Sequence, residues 1–130
     1  MKKMKRKVKG FTLVELVICI AIIAILVSIA IPQYNKARLS AIAATHNSNV
    51  QSIKSAAILT RMEDEKAEIN PQSVEKNIEG GELPKINKAI EDATGKASWE
   101  IKEDKETGNI IIEPGLVKFE GNKITRVKEN

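Results

Sequence analysis

Gly10-Phe11-Thr12-Leu13-Val14-Glu15-Leu16 opens an apolar run that continues to Ile31. The run Phe11–Ile31 is 21 residues long. As a helix it spans about 31 Å, enough for the hydrocarbon core of a bilayer. It is apolar all round apart from Thr12, Glu15 and Ser28. A carboxylate in such a run costs about 2.5–3.5 kcal/mol at mid-bilayer and less near the ends. Glu15 therefore calls for a physical reason.

Residues 1–10 carry six positive charges and no acid. Positive charge beside an apolar run stays cytoplasmic, so the expected topology is a single pass with the N-terminus inside. A secretory signal peptide begins in the same way, but its apolar region covers only about 7–15 residues. Ser28-Ile29-Ala30 offers such a signal a small-x-small cleavage site, so release after Ala30 stands as an alternative. The net charge of +4 belongs to the leader. Beyond it, fifteen basic residues face seventeen acids. A basic nucleic-acid footprint is thus not expected, and no direct nucleic-acid binding is read. The single cysteine, Cys19, excludes an intrachain disulfide. Bulky Leu16-Val17-Ile18 before it argues against lipid attachment, leaving a small membrane-buried hydrophobe.

Pro32 removes one helical hydrogen bond and either ends or kinks the helix. The next segment favours a kink. Gln33–Met62 contains no Gly or Pro, and Leu39, Ala43, His46, Val50, Ile53 and Ala57 recur at spacings of 4, 3, 4, 3 and 4. One helix is expected from about Phe11 to Met62, greasy throughout in its first half and along one stripe in its second. His46 lies on that stripe without a second His or a nearby Cys, which makes it a structural residue rather than a ligand.

Asn70-Pro71 signals a turn. Ser73-Val74-Glu75-Lys76 predicts a short helix capped by Ser73 and closed by Gly80-Gly81. Pro84–Ile90 predicts another, with Pro84 in its first turn and its end by Gly95. From Ala97 the period changes to two. Trp99 and Ile101, Ile110–Ile112, Val117 and Phe119, and Ile124–Val127 read as four strands. Lys105–Asn109, Pro114-Gly115 and Gly121-Asn122 are the turns of a single antiparallel meander. Its apolar face needs a cover, and the Leu39–Ala57 stripe is the long apolar surface that provides one. The expected fold is α+β: a long N-terminal helix, membrane-spanning in its first half, packed against a small C-terminal antiparallel sheet. The segments are a leader at 1–10, an apolar half-helix at 11–32, an amphipathic half at 33–66, a variable loop at 67–96 and the meander at 97–130.

Catalysis has little to work with. There is no Cys-His pair, nucleophile elbow, phosphate loop or His cluster, so neither an enzyme nor a cofactor or metal site is expected. The oxygen-rich turn Glu103–Asn109 departs from calcium-loop spacing, with Lys105 where a ligand is wanted. It reads as a charged hairpin turn, with calcium binding as the alternative. Glu15 is different. In an uncut chain, protonation or the positive end of the helix dipole accommodates it. A cut between Gly10 and Phe11 would create an ammonium one helical turn away. The ammonium of one copy and the carboxylate of another would then neutralise each other only at one axial stagger.

Lys9-Gly10-Phe11-Thr12-Leu13-Val14-Glu15-Leu16, the apolar run to Ile31 and Pro32-Gln33-Tyr34 resemble the class III signal of type IV pilins and pseudopilins. The likeness is dense from Lys9 to Tyr34 and architectural beyond. It implies a prepilin peptidase that cuts after Gly10 and methylates the new amine of Phe11. It implies pairing of Glu15 with the N-terminus of an adjacent subunit and a kink at Pro32. It implies a filament of this chain with other pilins, built from a membrane-inserted precursor by a separate platform protein and ATPase. The alternative within the family is a pseudopilin of type II secretion or of competence for DNA uptake. The resemblance leaves adhesion, motility, secretion and DNA uptake all open as the filament's role. Many pilins carry a cysteine pair that this chain lacks, which fits a Gram-positive source and a surface filament there.

Overall fold

The computed structural model describes residues 10–128, so the leader before Gly10 and the last two residues lie outside the described chain. Helix α1 spans Leu13–Glu63 without interruption at Pro32. Pro32 offers no N–H to the Ser28 carbonyl, which costs one rung of the ladder. The chain divides into two compact units, one through Asn35 and one from Lys36. The first unit is the apolar part of α1, whose side chains are exposed along its length. It is long and apolar enough to cross a membrane.

In the second unit the helical stripe is buried as its spacing predicts. Ala43, His46, Val50, Ile53 and Ala57 turn inward, joined by Ala56 and Thr60, while Leu39 is half-buried. Two apolar clusters form on it. Val50, Ile53, Ala56 and Ala57 meet Trp99, Ile101 and Ile112, with Ile69 and Val74 from the loop. Ala43, with Leu39 and Ile42 at its margin, meets Ile90, Val117 and Ile124. Half-buried Ile86 packs against both clusters. Ile53 is fully buried.

The loop is ordered by caps that differ from the predicted ones. Helix α2 is Pro71–Glu75 with Asn70 as its N-cap. Ser73 N–H donates to Asn70 Oδ1 at 2.8 Å, and Asn70 N–H donates to Ser73 Oγ at 3.1 Å. Ser73 is therefore the third helical residue of a capping box, not the cap, and Pro71 takes the first position where its missing N–H costs nothing. Helix α3 is Lys88–Thr94, capped by Asn87 and closed by Gly95 in the left-handed region at φ 75. It starts four residues later than Pro84. The reason is that Pro84 and Ile86 have other work: Trp99 Nε1–H donates to Pro84 O at 2.7 Å, and Ile86 fills the core.

All four strands are present: β1 Glu100–Glu103, β2 Ile110–Glu113, β3 Val117–Glu120 and β4 Lys123–Arg126. They do not form one meander. Among the described residues β1 pairs only with β2 and β3 only with β4, giving two antiparallel two-stranded sheets. The split follows from what occupies the near edge of β3. Asn47 on α1 donates from Nδ2 to Val117 O and accepts from Val117 N–H at Oδ1, both at 2.8 Å. His46 Nε2 bonds Gly115 O at 2.8 Å, and Val127 N–H takes Leu116 O at 3.0 Å. Pro114 has no N–H to offer. On the edge away from β4, both main-chain groups of Val117 are thus already satisfied by the helix, as is the Gly115 carbonyl before it, while Leu116 O faces the β4 side.

Candidate functional site

The start of α1 is held by a reciprocal pair. Thr12 is the residue before the first helical position, and Glu15 is the third. Glu15 N–H donates to Thr12 Oγ1 at 3.2 Å, and Thr12 N–H donates to Glu15 Oε2 at 3.3 Å. This is a capping box: two backbone donors that the helix start leaves unpaired each gain a side-chain acceptor. The helix dipole favours a carboxylate at this point. The Thr-x-x-Glu spacing before an apolar run carries this signal in the sequence, and the reading of Glu15 by its charge alone missed it.

Two consequences bear on chemistry. The cap uses the N–H of Thr12, not that of Phe11, so a cut between Gly10 and Phe11 would leave it intact. It also uses one oxygen of Glu15; among the described residues, Oε1 has no hydrogen-bond partner. A carboxylate has acceptor capacity for more than one donor. Phe11 is 87% exposed and Gly10 is exposed. Among the described residues, a Cβ built on Gly10 meets nothing within 4 Å.

The remaining singled-out residues stand apart from this segment in sequence. Cys19 is a free, exposed thiol on the apolar part of α1. His46 is 3% exposed, bonded to Gly115 O and stacked on Trp99 with ring centroids 5.3 Å apart. It is a packed residue of the second unit, as its place on the stripe predicts. In the turn after β1, Asp104 Oδ1 accepts from Glu106 N–H at 2.9 Å, and Asp104 N–H donates to Asn109 O at 2.8 Å. The Glu106 N–H, with help from the Thr107 hydroxyl, holds the Asp104 carboxyl below the usual aspartate range. Among the described residues no three of His, Cys, Asp and Glu converge as metal ligands.

The family described as the prokaryotic N-terminal methylation motif matches residues 5–31, the segment that holds Gly10, Phe11 and the Thr12–Glu15 cap. A fimbrial protein of Pseudomonas aeruginosa is 32% identical over 116 residues, covering 89% of this chain and 73% of the relative. The chain belongs to the type IV pilin family. No solved structure matches it. As a pilin-like structural subunit it has the family's α+β fold, with a long apolar N-terminal helix and small antiparallel sheets. An apolar helix able to anchor it in a membrane and a family that builds surface filaments account for its exposed first unit.

Proposed function

We propose that this pilin is made as a single-pass membrane precursor with its N-terminus inside, is cut after Gly10, is N-methylated at Phe11 and assembles into a type IV pilus. The observation that carries this reading is the position of the cap. The Gly10–Phe11 bond lies just outside it, so cutting there creates an ammonium while Glu15 keeps its place and an oxygen that has no hydrogen-bond partner among the described residues. The six positive charges of the leader support the topology. A prepilin peptidase, a platform protein and an ATPase would act as separate chains.

The role is structural rather than catalytic. The buried polar side chains support this, because each is committed to a main-chain carbonyl: His46 to Gly115, Thr60 to Ala56 and Thr94 to Ile90. A true pilus subunit is favoured over a secretion or competence pseudopilin. The likeness to a fimbrial protein runs through 116 residues, well past the N-terminal segment. The test is Glu15→Ala in cells that assemble the filament. The variant is expected to be processed and to be lost from sheared surface filaments. Normal filament yield from Glu15→Ala would remove the proposed role of the carboxylate.

A further inference from the structure

Within the second unit, α1 carries opposite charges at its two ends. Lys36 and Arg38 are exposed at its N-terminal end, and Glu63, Asp64 and Glu65 are exposed at and just past its C-terminal end. The described residues contain ion pairs between Arg61 and Glu103, Lys88 and both Glu91 and Asp92, Lys96 and Glu100, and Lys118 and Glu120. None involves these five side chains. Glu63 and Asp64 accept only neutral donors, from the Asn77 amide and the Lys66 N–H. The acidic end is also apolar: Leu59 and Met62 are 47% and 75% exposed beside it.

The two ends cannot satisfy each other within one molecule. Twenty-six residues of helical rise put Arg38 and Asp64 about 39 Å apart, several screening lengths at physiological salt. A foreign partner of either sign would match one end only. A second copy in the same orientation matches both, since each end finds its complement on the next molecule. Such a contact is heterologous and does not close on itself, so it propagates along one direction.

We infer that copies of this chain dock side by side at an axial stagger, with Glu63, Asp64 and Glu65 of one against Lys36 and Arg38 of the next, and with Leu59 and Met62 in the contact. The inference rests on the filament reading and adds to it a second registration device, on the second unit, at a stagger near the length of that helical segment. Exposed pairs are individually weak, so their effect is to select the stagger and to make it sensitive to salt.

The test uses filaments of the full chain. Zero-length carbodiimide coupling should join Lys36 to Glu63, Asp64 or Glu65, detected as a branched peptide by mass spectrometry. The separation within one chain makes any such link intermolecular. Lys36→Glu with Arg38→Glu should lower sheared filament yield several-fold at physiological salt, as should Glu63→Lys with Asp64→Lys and Glu65→Lys. All five together should restore it. Reversals at one end that leave yield unchanged, or a combined variant that fails to recover while its precursor accumulates normally, overturn the inference. Absence of the unaltered chain from filaments would instead overturn the filament reading.

Discussion

Replacing Asn47 with alanine removes both hydrogen bonds that close the near edge of β3. Each is 2.8 Å long, and both go to Val117, which is 2% exposed. A hydrogen bond contributes about 1 kcal/mol net, and more when its loss leaves a buried group unpaired. Two such losses on one residue are expected to cost about 2–3 kcal/mol. At 1.4 kcal/mol per factor of ten, local opening at Val117 should become roughly 30- to 150-fold more frequent. The assay is amide hydrogen exchange of the full chain in detergent micelles, read at Val117 and at Ile53 as a core reference. Exchange at Val117 should accelerate by that factor. Asn47→Asp separates the two bonds. It keeps an acceptor for the Val117 N–H but sets a carboxylate oxygen against the Val117 carbonyl, so it should be no better than alanine at neutral pH. Exchange at Val117 that stays within about twofold in Asn47→Ala would refute the claim that the helix, not a neighbouring strand, completes this edge.

Two other perturbations follow from the same unit. Ile53→Ala opens a cavity at a fully buried site between α1 and the first hairpin, and should lower stability by about 2–5 kcal/mol in denaturant titration. Asp104 is held below its ordinary value by the Glu106 N–H, so its contribution is complete above the ordinary aspartate range and fades as pH falls through the depressed value. Asp104→Asn should therefore lower protection at Gly108 and Asn109 at neutral pH toward the level the unaltered chain shows in acid, and flatten the acid-side loss.

The long helix was open to reading because its signals are local and repeated. An apolar run of membrane length needs no partner to be recognised, and a 4-3-4-3-4 stripe fixes which face of Gln33–Met62 is buried. The strands were visible for the same reason, since Trp99, Ile101, Val117 and Phe119 alternate with charge. What escaped depends on contacts distant in sequence. Nothing around Asn47 marks it as the residue that pairs with Val117, seventy positions away, and without it the four strands read as one meander. The start of α3 moved because Trp99 needs the Pro84 carbonyl, a demand invisible from the Pro84–Ile90 segment itself. The two caps are a different case. Asn70-Pro71-Gln72-Ser73 and Thr12-Leu13-Val14-Glu15 both carry a recognisable spacing. In both, a louder local signal masks the third helical residue: the proline after Asn70, and the apolar run around Glu15.

The cap gives Glu15 a partner in the uncut chain, so this carboxylate is not an unsatisfied charge waiting for neutralisation. It is a residue held in place, with one oxygen engaged in the cap and the other without a partner among the described residues, beside a bond whose cleavage would supply a cation. The account therefore stands on that cleavage. Mass spectrometry of the N-terminal peptide from sheared filaments tests it most directly. The account predicts a mature chain beginning with N-methylated Phe11. A chain that still begins at Met1, or one that begins at Ile31, would contradict it.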